Sequence, residues 1–241
     1  MNRFYTPIDL TLQQHIELPE TVFHHWCRVL RANVGEQAIF FNGQGGEYLV
    51  QLTEIHKKTA FAHVQQFYAQ QRQLAVNITL GQVMSKGDRM DYAIQKATEL
   101  GVSHIQLLTS ERCEMRLKYD RDQKKIEHWQ GVAIAACEQS GLNIVPTILA
   151  PLTLNDWLAQ CTADLKLVMA LSEGQVHFPN PLPQNIALLV GPEGGLSTNE
   201  IALAHQHGFQ SWTVGQRVLR TETAPVVALS ILNHLCDMQG V

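Results

Sequence analysis

No two cysteines in this chain stand in C-x-x-C spacing. The five present (Cys27, Cys113, Cys137, Cys161, Cys236) are odd in number and widely scattered. That argues against a zinc cluster and against a disulfide framework, and it reads as small buried apolar side chains. The eleven histidines are as unorganised. Only His24-His25 and His205-x-His207 lie close together, and neither has an acidic or cysteine partner at helical spacing. No metal is expected. Long apolar runs are missing too: Ala224 to Leu232, the longest nearly apolar stretch, is too short to span a bilayer. The opening residues MNRFYTPIDL lack the charged-then-apolar pattern of a signal peptide. The expectation is a cytoplasmic protein with no membrane association. Charge is scarce at 17%, but the 45% hydrophobic content excludes a disordered chain. A length of 241 residues allows one large domain or a small one joined to a medium one.

The charge that is present is unevenly placed. Residues 1–71 carry 5 basic and 6 acidic groups, net −1; residues 72–125 carry 10 and 7, net +3; residues 126–241 carry 3 and 9, net −6. Strong nucleic-acid binders show a basic footprint, and only the middle segment has one. Any RNA contact is therefore expected to be local and salt-sensitive.

The first seventy residues read as a small β-rich domain. Gln37–Asn42, Glu47–Ile55 and Ala60–Phe67 are strands, separated by the Asn42–Gly46 turn and by Lys57-Lys58. A helix over Pro19–Leu30 interrupts them, and the Gln-rich stretch 69–73 reads as a linker. From residue 74 the rhythm becomes alternating strands and helices. Strands are expected at Ala75–Gly81, His104–Thr109, Ile144–Leu149, Leu165–Ala170, Ile186–Val190 and Ser211–Val214. One helix ends at Gly101 and another at Gly141, and Ser197-x-x-Glu200 opens a third as a capping box. The pattern is an α/β domain with a mainly parallel sheet.

Two loops carry the chemical signal. In the first, a buried strand runs into Gly191-Pro192-Glu193-Gly194-Gly195 and then into the capped helix. Glycines at the carboxyl end of a strand let backbone approach a ligand closely. No Gly-Lys-Ser/Thr follows, so this is no Walker motif, and Glu193 would repel a polyphosphate. A neutral or cationic ligand fits better. The second loop, Val214 to Ala224, sets Arg220 and Glu222 ahead of a helix that is apolar nearly all round. Charges there are costly unless paired or used. Taken alone, the first loop reads equally well as a tight turn, and the second reads better as a structural salt bridge or a helix cap by Thr223.

Together, Leu-Val-Gly-Pro-Glu-Gly-Gly (189–195) and Gly-x-Arg-Val-Leu-Arg-Thr-Glu-Thr-Ala (215–224) resemble the RsmE family of SPOUT-superfamily methyltransferases. Met84–Met90 with Lys96 and Glu99–Gly101, Ser110–Arg112, and Glu138–Gly141 with Pro146 agree with that family. So do His24-x-x-x-Arg28-Val-Leu-Arg31 and Gly43-x-Gly-Gly46 in its small PUA-like domain. The resemblance covers essentially the whole chain. Gln216 stands where the family more usually has proline, and Pro225 where it has alanine. Neither change removes a charged group, and Pro225 falls in a first helical turn, where it is tolerated.

The resemblance implies a SPOUT-type parallel sheet with a C-terminal trefoil knot over 74–241, preceded by a PUA-like β-barrel RNA-binding domain over 1–70. It implies a homodimer and methylation of N3 of a uridine in 16S ribosomal RNA of the small subunit. S-adenosylmethionine would be held by loops Ala170-Leu171-Ser172, Gly191–Gly195 and Val214–Arg220. The implied contacts are Ala170, Leu171, Val190, Gly191, Gly194, Gly195, Val214, Gly215, Val218 and Leu219. In chemical terms, Arg220 would stabilise charge developing on the imide, and Glu222 or Glu138 would accept its proton directly or through water, although a structural hydrogen bond to backbone fits each carboxylate at least as well. Arg28, Arg31, Lys86, Arg89, Lys96 and Arg112 are candidate RNA contacts, with Arg116, Lys118 and Arg121 extending a phosphate track. The acidic residues interleaved with that cluster fit a solvated face equally well. The same loops also suit another ribosomal or transfer-RNA nucleoside. A non-catalytic RNA-binding module would leave them without a use.

Overall fold

Alternating apolar residues and two tight turns build the first of two units, Met1–Gln73 together with Cys137–Val145. The structure is a computed structural model describing residues 1–115, 119–171 and 176–239, with 119–122 described by backbone alone. Arg116, Lys118 and Ser172 lie outside the described residues, as does the side chain of Arg121. The strands are β1 (Arg3–Tyr5), β2 (His15–Glu17), β3 (Gln37–Phe41), β4 (Glu47–Ile55) and β5 (Ala60–Tyr68), in the order β1-β3-β4-β5-β2. All pairs are antiparallel except β1–β3. A barrel was the expectation; the strands form one five-stranded sheet whose edges, β1 and β2, do not pair. At Gly46 (φ 68°) a Cβ would stand 2.4 Å from the Phe67 ring, so the β3–β4 turn requires glycine there.

The helix expected over Pro19–Leu30 divides. Glu20–Phe23 is a single α-helical turn, α1, and His24–Val29 is π-helical, with Leu30 N–H bonded to the His25 carbonyl at 2.9 Å. The wider turn accompanies burial of Trp26, whose ring lies 5.5 Å from Phe4 and 5.8 Å from Phe40. The unit is also held by an ion cluster around the buried Glu47. Glu47 receives Arg3 at 2.5 Å and Arg72 at 2.8 Å, and both arginines donate to the Gly141 carbonyl.

The second unit, Leu74–Ala136 with Pro146–Val241, alternates strands and helices. Its elements are β6 (Asn77–Val83), α2 (Asp88–Glu99), β7 (His104–Thr109), α3 (Tyr119–Ser140), β8 (Thr147–Thr153) and α4 (Leu154–Gln160). They continue with β9 (Leu165–Met169), β10 (Asn185–Val190), α5 (Thr198–Gln206), β11 (Gln210–Trp212) and α6 (Thr223–Gln239). The last turn of α3 belongs to the first unit. The sheet order is β11-β9-β10-β6-β7-β8, with every pair parallel. The central strands β6 and β10 are buried on both faces over most of their length, which is why β10 reads as a continuous apolar run from Ile186 to Val190. Gly81 lies where the Trp157 ring packs directly onto the backbone; a Cβ there would come within 2.4 Å of the ring. The strand expected at Ile144–Leu149 begins instead at Thr147, after Pro146, and Ile144-Val145 goes with the first unit.

Candidate active site

β10 is followed in sequence by β11, but β11 pairs on the far side of β9, so the strand order reverses between neighbours. Crevices outside the carboxyl ends of parallel strands at such a reversal are where open α/β sheets take ligands. A cavity of about 760 Å³ opens there, lined from the ends of β9, β10 and β11 and from the loop leading to α6. That volume lies within the usual range for small-molecule sites. Ala170, Leu171, Val190, Gly191, Gly194, Gly195, Val214, Val218 and Leu219 all line it, as do Arg220 and Glu222. Gly215 does not; its φ of 70° lets the loop turn instead.

The loops are tied together from beneath by polar groups that the sequence reading passed over. Thr221, 6% exposed, donates its hydroxyl to the Gly191 carbonyl at 2.6 Å and accepts Gln82 Nε2 at 3.1 Å. Gln82, 1% exposed, is a polar residue in the buried end of β6, and that placement was the available signal. Thr213 donates to the Ala170 carbonyl at 2.9 Å, joining the first and third loops. Ser197 and Glu200 form the expected capping box. Glu200 Oε1 also accepts the Glu111 N–H at 2.8 Å, tying in the loop after β7.

The charged groups divide by environment. Glu222 Oε2 is buried with no hydrogen-bond partner among the described residues, and Glu222 is one of the residues that line the cavity. Glu193 Oε1 accepts Arg89 Nη1 at 2.7 Å and the Lys86 N–H at 3.2 Å. Partial burial works to raise its pKa, but these bonds, the Arg89 charge and a bond to its own backbone N–H hold it below the usual carboxylate range. Glu138 lies in the first unit, where Oε1 accepts the Tyr5 N–H at 2.9 Å and burial pushes its pKa up.

The candidate RNA contacts separate in the same way. Lys86, Arg89 and Arg112 line a second, smaller cavity. Lys96 gives its ammonium to both oxygens of Glu99, at 2.8 and 2.9 Å. Arg28 donates to the carbonyls of His56 and Lys57 and stacks 5.0 Å from Phe23, so its guanidinium is already engaged. Arg31 is exposed, in the left-handed conformation at φ 56°. Among the described residues, no group of three or more His, Cys, Asp or Glu converges as metal ligands would. Among the same residues, no helix is long and apolar enough to cross a membrane.

Known proteins share this architecture. The family model for the RNA methyltransferase domain matches residues 72–233, and that for the RNA methyltransferase PUA domain matches residues 18–65. Ribosomal RNA small subunit methyltransferase E of Buchnera aphidicola subsp. Schizaphis graminum is 33% identical over 95% of this chain and 94% of its own. The Bacillus subtilis protein of that name is 31% identical over 99% and 98%. Among solved structures, ribosomal RNA small subunit methyltransferase E from Neisseria gonorrhoeae, bound to S-adenosyl methionine, is 37% identical. It superposes with a TM-score of 0.91, covering 98% of each chain. A Legionella pneumophila protein solved with the cofactor SAM is 36% identical, with a TM-score of 0.93 over 96% of each chain. This chain belongs to the ribosomal RNA small subunit methyltransferase E family.

Proposed function

We propose that this chain transfers a methyl group from S-adenosylmethionine to N3 of a uridine in 16S ribosomal RNA, within the small subunit in the cytoplasm. The observation that carries the reading is the single cavity formed by the three loops in a chain of this family. Its lining suits the cofactor. Gly191, Gly194 and Gly195 present backbone, while Leu171, Val190, Val214, Val218 and Leu219 supply an apolar wall. Glu222 offers an unpaired buried carboxylate oxygen to a cationic ligand or a transferable proton.

S-adenosylmethionine, when bound, supplies an electrophilic methyl group. The protein's own work is to position the acceptor base and manage one proton. Arg220, exposed at the cavity mouth, stabilises the imide as its charge develops. Glu222 receives the N3 proton. Glu138 is the weaker candidate for that role, because Tyr5 already occupies one of its oxygens.

Two further features accompany this reading. The C-terminal segment forms a trefoil knot; the packing of α6, which follows the edge strand β11, against α2 and the central strand β10 supports this. Near the far end of α6, Gln239 bonds Leu182 and Pro179 in the segment leading from β9 to β10. The working form is a homodimer; Leu171 and Val218, 65% and 82% exposed at the cavity, suit a covering partner. The test is mass mapping of modified nucleosides in ribosomal RNA from cells with and without the gene. The reading predicts loss of one N3-methyluridine. An unchanged nucleoside profile refutes it.

A further inference from the structure

A second cavity, of about 430 Å³, opens beside the first, and the two share Arg89, Glu193 and Gly194 as a common wall. Its cations come from three places: Lys86 just ahead of α2, Arg89 in the first turn of α2, and Arg112 in the loop after β7. Arg112 Nη1 donates to the Gly194 carbonyl at 3.0 Å and has no carboxylate partner among the described residues. On the shared wall, one oxygen of Glu193 gathers a guanidinium N–H and a main-chain N–H at once. Guanidinium and backbone N–H groups converging on one anionic oxygen are the donors that proteins offer to nucleic-acid phosphates.

We propose that this groove seats a backbone phosphate of the RNA substrate, and that Glu193 holds the seat as an internal anion until RNA displaces it. The proposal rests on the methyltransferase reading above. Two further carboxylates, Glu111 and Glu114, line the groove, and no salt bridge ties Glu111 to its cations among the described residues. Glu114 takes Lys86 Nζ at 2.6 Å, but both side chains are well exposed, where such a pair is weak. Arg89 and Glu193 are also partly exposed, so a phosphodiester held at several points along an RNA displaces that pair at small cost. A phosphate there lies against the Glu193–Gly194 wall, which brings its nucleotide to the rim of the cofactor cavity. The same displacement frees Glu193 on the cofactor loop, so RNA arrival and the conformation of that loop are linked.

Two variants break the same ion pair from opposite sides, and that makes the test sharp. Binding to purified small ribosomal subunits is measured across a salt series, without turnover. Glu193→Gln removes the competing anion and should tighten binding roughly two- to fivefold, the range an exposed ion pair allows. Arg89→Gln removes a phosphate donor; it should weaken binding and lower the slope of log affinity against log salt by about one. A purely structural pair predicts that both variants behave alike. Any outcome other than opposite responses overturns the proposal. Calorimetry of the unaltered chain with S-adenosylmethionine tests the underlying reading separately: opposite responses without cofactor binding would sink that reading and leave the phosphate seat standing.

Discussion

Replacing Thr221 by valine changes the shape of the site hardly at all and removes one hydroxyl. That hydroxyl makes a 2.6 Å bond to the Gly191 carbonyl and receives a 3.1 Å bond from Gln82. Without it the Gln82 amide keeps only the Val83 carbonyl, and Gly191 loses the bond that fixes its loop. Leaving a buried polar group unsatisfied costs about 1–3 kcal/mol. Gly191 is only partly buried, so water can replace part of its loss, and ~1–3 kcal/mol is the expected total for the variant. Because Gly191 lines the cavity proposed for the cofactor, part of that cost should appear as weaker S-adenosylmethionine binding, on the order of tenfold for ~1.4 kcal/mol. Urea unfolding and cofactor calorimetry on Thr221→Val and Thr221→Ser separate the contributions. Serine keeps the hydroxyl and should restore most of the affinity. Wild-type affinity in the valine variant would refute the idea that this bond positions the loop.

Arg220→Lys should lose on the order of a hundredfold in single-turnover methylation with an unchanged melt, because a point charge does not replace a planar donor fork; a less stable but fully active variant would make Arg220 structural. Gly81→Ala should lower the urea midpoint by the equivalent of ~1–3 kcal/mol, since the new methyl meets the Trp157 ring. At Gly195 a Cβ meets no atom within 4 Å, but φ is 66°; Gly195→Ala should therefore weaken cofactor binding in calorimetry through loop strain rather than collision. Burial works to raise the pKa of Glu47, and its bonds to Arg72 and Arg3 outweigh that, holding it below the usual range. The stability it contributes is therefore present above the unfolded-state carboxylate pKa and lost as pH falls through the lower folded value. Urea unfolding from pH 7 to pH 3 should show this loss in the wild type and a flatter profile in Glu47→Gln.

The parallel domain was legible because its central strands are rich in apolar residues and its helices carry stop signals; β6, β7, β9 and β10 fall within two residues of their expected bounds. β1 and β2 were missed because three residues show no periodicity, and their pairing partners are distant in sequence. The π-helical turn was illegible for another reason: nothing in His24–Val29 alone distinguishes a bond to the fifth residue from one to the fourth. At the site, glycines and charges were visible as a motif, yet Gln82 and Thr221 were not, since their role exists only once two distant segments meet. Glu193 is the instructive case. Its residue type was weighed against a ligand, whereas its partners, Arg89 and Lys86, come from another part of the chain.

Glu200 has one carboxylate and two separate duties: Oε2 closes the cap of α5 on Ser197 N–H, and Oε1 holds the Glu111 N–H. The turn that starts α5 and the loop after β7 are thus hinged on a single side chain, and neither can fray without unfastening the other. Amide hydrogen exchange should report this as one opening event, with Glu111 and Ser197 exchanging at matched rates. Glu200→Gln, which keeps an acceptor for only one of the two amides, should split those rates apart.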